Sequence, residues 1–160
     1  MKAITFLATL LITIVSCNCQ KNSTQSNVVA TKSDKTEATM QADVPVIKYE
    51  ANSRGLAFAV KVENQILYVS RVRGFKDYEE KIKISDVDWN EMVTLIKAVD
   101  LAKVKGFKWP TEKRCYGGAA HANITFMSGG VEYPASGFDH GFPPVEIEKL
   151  VNKILKLTEK

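Results

Sequence analysis

Two short stretches concentrate the side chains able to do chemistry. Lys113-Arg114-Cys115-Tyr116-Gly117-Gly118, followed by His121, sets two cations, a thiol, a phenol and an imidazole beside paired glycines. Phe138-Asp139-His140-Gly141-Phe142-Pro143-Pro144 adds a carboxylate, a second imidazole and two aromatic rings. His121 and His140 are proton-transfer groups in kind, Asp139 is of a type that orients an imidazole, and Arg114 with the glycine amides is suited to an anion. No nucleophile motif surrounds Cys115, and the neighbours Asp139 and His140 point apart in most strands and turns. Binding is therefore favoured over turnover, and no catalytic residue is assigned. The expected ligand-binding surface is Arg114, Tyr116, His121, Asp139, His140 and Phe142.

Competing uses of the same residues remain open. His121, Asp139 and His140 could serve a hydrolase or a metal-dependent enzyme, since two histidines and a carboxylate can hold zinc or iron, but sequence gives ligand number without facing geometry. No metal and no cofactor is assigned. Cys115 behind Lys113-Arg114 could be a reactive thiol, although a buried, inert cysteine is the commoner outcome. Gly117-Gly118 and Gly129-Gly130 lack the spacing of phosphate loops, and no CxxC or Cys/His cluster marks a zinc site.

Both stretches flank one expected hairpin, residues 120–127 and 131–135 joined through Ser128-Gly129-Gly130, so antiparallel pairing brings them to one corner. Before it, alternation of apolar and polar residues over 46–51, 56–62 and 66–70 reads as strands. Asn52-Ser53-Arg54-Gly55 and Glu63-Asn64-Gln65 are the turns, Gly55 being able to take a positive φ. A short run at 81–84 follows a charged loop. Ser85 then caps a helix whose apolar stripe is Trp89, Met92, Val93, Ile96 and Val99. Pro143-Pro144 is read as opening a last helix with Ile147, Leu150, Val151, Ile154 and Leu155 on its apolar face. The expected fold class is α+β: a mostly antiparallel sheet of about five strands with two amphipathic helices packed on one face.

The start of the chain carries an address. Lys2 supplies a positive start and residues 4–15 an apolar run interrupted only by threonines. Such a run is too short for a bilayer helix, which wants roughly 20 residues, and suits a signal-peptide core of about 7–15. Ile14-Val15-Ser16-Cys17 resembles the lipobox of bacterial lipoproteins. That resemblance implies cleavage after residue 16, with Cys17 acylated by a diacylglyceryl group and an amide-linked chain. At about 0.8 kcal/mol per buried methylene, several chains make release negligible. Asn18 makes Cys19 a poorer acylation site.

Removing the first 16 of 160 residues leaves 144, enough for one domain. Residues 17–45, the acylated cysteine followed by a Ser/Thr/Asn/Gln/Lys-rich stretch without aromatics, read as a disordered tether spanning about 25–30 Å on average. The globular domain is expected over 46–160. With 45% hydrophobic and 25% charged residues and a formal charge of +4, the chain is ordinary and only mildly basic. Its lysines are scattered among acids, so no nucleic-acid footprint is expected. Cys19 and Cys115 could pair in an oxidising envelope, but no disulfide framework is expected.

The segments Asp88-Trp89, Pro110-Thr111-Glu112-Lys113-Arg114, Gly118-Ala119-Ala120-His121-Ala122, Phe138-Asp139-His140-Gly141-Phe142-Pro143-Pro144 and Ile147-Glu148-Lys149-Leu150-Val151 are similar to small lipoproteins of Bacteroidetes-type bacteria, over most of residues 46–157. The resemblance implies an address and a domain extent, and brings no activity. The functional expectation is a membrane-tethered envelope lipoprotein, periplasm-facing, that binds a protein or small ligand; the oligomeric state is left open.

Overall fold

Alternation of apolar and polar side chains makes the strands, because successive residues of an extended chain point to opposite faces. In the computed structural model, which describes residues 44–75 and 77–159, these are Val46–Asn52 (β1), Ala57–Glu63 (β2), Ile66–Ser70 (β3), Glu80–Lys83 (β4), His121–Ser128 (β5), Val131–Pro134 (β6) and Phe138–Asp139 (β7). The signal segment, Cys17, Cys19 and the tether through residue 43 lie outside the described residues. All pairings are antiparallel, in the order β4-β3-β2-β1-β5-β6, with the two-residue β7 also pairing β5. At seven strands the sheet is two larger than the five or so expected from the sequence. One extra strand, β7, is too short to carry a periodic signal.

Register builds the core in rows. Leu67, Val62, Ile47 and Phe126 lie side by side across four strands; Val69, Val60, Tyr49 and Ile124 form the next row; Phe58, Ala51, Ala122 and Phe138 form the third. All of these are buried. The opposite face runs Lys81, Tyr68, Lys61, Lys48, Thr125 and Pro134, and it keeps contact with water. Apolar rows on one face alone leave one place for the helices, Asp86–Lys97 (α1) and Glu148–Leu157 (α2). Met92 and Ile96 of α1 join Leu150, Val151 and Ile154 of α2 in the same core as the strand rows. Lys153 of α2, whose side chain is mostly buried, spans Asp88 at 2.8 Å and Glu91 of α1, tying the helices together.

Local chemistry sets the ends. Ser85 caps α1, its hydroxyl accepting from the Asp88 amide at 3.1 Å and donating to the Asp88 carboxylate at 2.7 Å. α2 begins at Glu148 rather than at Pro143-Pro144. Both prolines are buried in irregular chain, the residue before a proline being held out of the helical region, and a turn at 145–147 separates them from the helix. Gly55 does not adopt a positive φ; the first hairpin is closed by Ser53, whose amide donates to Leu56 O at 2.9 Å and whose hydroxyl accepts from Leu56 N at 3.1 Å. The second hairpin puts Asn64 (φ 49°) and Gln65 (φ 63°) in the left-handed region. Gln65 holds that posture by donating to Ile84 O at 3.0 Å and to Asp86 at 2.6 Å. A 3₁₀ turn at Leu101–Gly106, which sequence periodicity does not reveal, buries Val104.

Neighbouring positions on β5 should respond very differently to truncation. Ile124→Ala, in the buried row, is expected to cost about 2–5 kcal/mol, whereas Thr125→Ala on the wet face should change stability by less than about 0.5 kcal/mol. Urea unfolding of the two variants checks this; equal losses would contradict the assignment of faces.

Candidate functional site

The corner anticipated from the sequence is built around a buried carboxylate. Asp139 of β7 is fully buried. It accepts from Thr111 Oγ1 at 2.5 Å, the Lys113 amide at 2.6 Å, the Arg114 amide at 3.0 Å and Arg114 Nη1 at 3.1 Å. Burial alone would push this carboxyl up, but the donors from Thr111, Arg114 and Lys113 outweigh it and hold the pKa at about 2. The segment they come from is a 3₁₀ turn, Lys113–Tyr116, ended by Gly117 at φ 80°. One carboxylate thereby fixes the whole turn against the sheet.

Two rings flank the turn. The Arg114 guanidinium lies 5.1 Å from the Trp109 ring centroid, and Trp109 Nε1 donates to Glu112 at 3.1 Å. Lys113 Nζ sits 3.8 Å over the ring of Phe142, which is partly exposed. Tyr116 is 77% exposed and its ring packs against Gly118, where a Cβ would come within 2.9 Å of Cε2. Cys115 is exposed, not buried as a structural cysteine would be.

The two histidines part company. His121 pairs with Asp139 at the start of β5, in the odd-numbered set that faces away from the core, while His140 follows Asp139 and turns inward. His140 Nδ1 lies 2.7 Å from the hydroxyl of Tyr49, a residue of the central core row. Burial pushes the Tyr49 hydroxyl up and the His140 imidazole down. Both shifts favour a phenol that keeps its proton and donates it to a neutral ring. His121, by contrast, is exposed and lies against Gly137, where a Cβ would meet its Nε2 at 2.3 Å. With the imidazoles on opposite faces of the sheet and the Asp139 oxygens occupied, the three do not converge on one ion. Among the described residues no cluster of three potential ligands forms.

What does open to solvent is a cleft of ≈ 660 Å³ between the β1–β2 turn and the chain entering β5. Asn52, Ser53 and Arg54 form one wall; Arg114, Ala119, Ala120 and His121 form the other. β1 and β5 are neighbours in the sheet with Asn52 opposite His121, which is what brings the walls together. The glycine amides expected to hold an anion are spent internally: Gly117 N donates to Arg114 O at 3.4 Å and Gly118 N to Lys113 O at 2.8 Å. The amides of Ala119 and Ala120 have no acceptor among the described residues.

Of the six residues singled out by type, Arg114 and His121 therefore line the cleft. Asp139 positions Arg114, His140 anchors the chain beyond β7 on the inner side, and Tyr116 and Phe142 stand exposed on the same corner. Asn52, Ser53 and Arg54 were missed because their partner strand lies about 70 residues away in sequence. Tyr49 carried a readable signal, a hydroxyl set in an otherwise apolar row that must find a partner. A second hollow of ≈ 550 Å³, at Val99, Lys103, Phe107 and Glu146, has its Lys103 already paired with Asp100 at 2.9 Å. Compared with known proteins, the chain matches no family model, no curated protein and no solved structure.

Replacing one Asp139 oxygen by an amide NH2 removes the charge facing Arg114 and sets a donor against donors that lose their acceptor. Asp139→Asn is expected to cost about 3 kcal/mol, the low end for a broken buried pair because Arg114 keeps a wet edge. Because the native carboxyl titrates at about 2, its contribution is complete above the ordinary carboxylate range and is lost as pH falls toward that value. At equal neutral stability, wild type should therefore lose stability more steeply than Asp139→Asn as pH falls from about 5 toward 2, and identical acid limbs would argue against the clamp. His140 acts in a higher window. Its depressed native pKa means the unfolded chain takes up a proton first, so stability should fall as pH drops from 7 to 5. His140→Gln should flatten that slope in chemical denaturation, and an unchanged slope would show that the imidazole is not the group responsible.

Proposed function

We propose that this chain is a lipid-tethered envelope lipoprotein whose α+β domain is a binding module, with the cleft between the β1–β2 turn and the Arg114–His121 wall as its ligand site. The single observation carrying the site is the cleft itself: it is open to solvent, of small-molecule size, and lined by Arg54, Arg114 and His121 with no acidic side chain. The tether reading rests on the residues up to Cys17 and their likeness to a lipobox. Among the described residues no helix is long and apolar enough to cross a membrane.

Rigid walls around an open space suit binding. Asp139 fixes one wall without touching the space, and the Ser53–Leu56 closure fixes the other. Turnover would need a proton-transfer group beside a nucleophile. The corner offers His121 as an isolated exposed imidazole, with His140 turned to the far side of the sheet. The partner is a small ligand or the projecting group of an envelope protein; nucleic acid is disfavoured by the scattered lysines.

Two measurements test this reading separately. Cys17→Ser in the full-length chain should move the protein from the membrane to the soluble fraction, and unchanged membrane retention would remove the lipid anchor. A photo-crosslinking residue at position 119, in native envelopes, should yield an adduct that the same residue at position 131, at the start of β6 and opposite the far end of β5, does not. Equal labelling at both would displace the site from the cleft.

A further inference from the structure

The cleft has a chemical polarity that narrows its ligand. Arg73 donates to Asn52 Oδ1 at 3.2 Å, Ser53 O at 2.9 Å and Arg54 O at 3.0 Å, consuming the acceptors of the β1–β2 turn. Arg114 Nη1 likewise takes Thr111 O at 3.0 Å on the opposite wall. The donors left for a ligand are the Arg54 guanidinium, which has no acceptor among the described residues, the rest of the Arg114 fork, the Ser53 hydroxyl proton, and the amides of Ala119 and Ala120. Charge follows the same pattern. Asp139 balances Arg114, while Arg54 and Arg73 have no carboxylate partner among the described residues. Half-buried amides and a planar guanidinium are the groups that hold oxyanions, through paired charge-assisted hydrogen bonds.

We infer that the cleft takes a small anionic ligand that presents phosphate or carboxylate oxygens. This rests on the binding-module reading and specifies its ligand. Arg54, the lining arginine without a carboxylate partner among the described residues, sets the sign of the charge, Arg73 outside the lining adds to it, and the free donors set the preference for acceptor-only oxygens. A neutral sugar or an amine would leave guanidinium and amide donors facing groups that cannot satisfy them all.

The test titrates the full chain, held in nanodiscs of neutral lipid and in buffer free of phosphate, with pyrophosphate, with citrate and with the neutral disaccharide chitobiose, followed by calorimetry. Saturable binding of either anion is expected, weakening as sodium chloride is raised. Pyrophosphate alone would name phosphate as the group read, and citrate alone would name carboxylate. Arg54→Ala should weaken binding about tenfold, as expected for one charge-assisted hydrogen-bonding group. Lys81→Ala, a cation on the wet face beside β3, should leave it unchanged. Equal weakening by both variants would reduce the effect to net charge and overturn the proposal. If neither anion binds while chitobiose does, or while the position 119 adduct persists, the ligand class falls and the binding module stands. If there is neither titration nor adduct, both fall.

Discussion

A carboxylate shut off from water must be met by charge and by donors, and Asp139 finds both within the single stretch 111–114. That requirement organises the corner. β7 is two residues long and pairs with β5 only through His121 and Ala122, too little ladder to place a loop by itself. The four donors to Asp139 do the placing, and they fix the 3₁₀ turn whose far side becomes a wall of the cleft. Because Arg114 is held through Nη1, the rest of its fork is oriented without being consumed.

The sheet contributes a second constraint, its strict division into a dry and a wet face. Tyr49 sits in the middle of the dry face between Val60 and Ile124, where a hydroxyl without a partner would be expensive to bury. His140 supplies that partner, and in doing so it draws the chain after β7 down onto the core while the residue before it, Asp139, turns to the other side. Alternation along three residues therefore separates a structural histidine from an exposed one. Antiparallel pairing does bring His121 and His140 to one corner, and the alternation of successive side chains puts them on opposite sides of the sheet there.

Much of the fold was legible because its signals are local. Period-two alternation in β1, β2, β3 and β5, the Ser85 cap and the apolar stripes at Met92–Ile96 and Leu150–Ile154 each follow from neighbouring residues, and together they imply an antiparallel sheet with helices on one face. The misreadings share a cause as well. Gly55 has the freedom to take a positive φ, but Ser53 closes that turn by hydrogen bonds that do not need it. Pro143-Pro144 can open a helix, yet both are buried in irregular chain before a turn, which no local pattern encodes. At the site, residue type correctly drew attention to 113–121 and 138–142. It could not say that β1 lies beside β5, so the Asn52-Ser53-Arg54 wall went unseen. Nor could it say that the glycine amides close their own turn, which moves the available donors on to Ala119 and Ala120.

A buried ion pair is a poor way to gain stability, since well-packed apolar side chains of similar volume often do as well or better. Its use here is better understood through position. An apolar residue at 139 would be indifferent to which backbone amides lay above it, and the turn at 113–116 could slide or lift without large cost. A carboxylate that needs two particular amides, one hydroxyl and one guanidinium tolerates no such freedom, because every displaced donor leaves a buried oxygen unsatisfied. The same reasoning explains the Lys153 contact to Asp88 and Glu91, which sets α2 against α1 at one register. In a domain whose described elements are joined by several irregular connections, these directional contacts fix what the non-directional core leaves free, and the cleft between two hydrogen-bonded turns is one result.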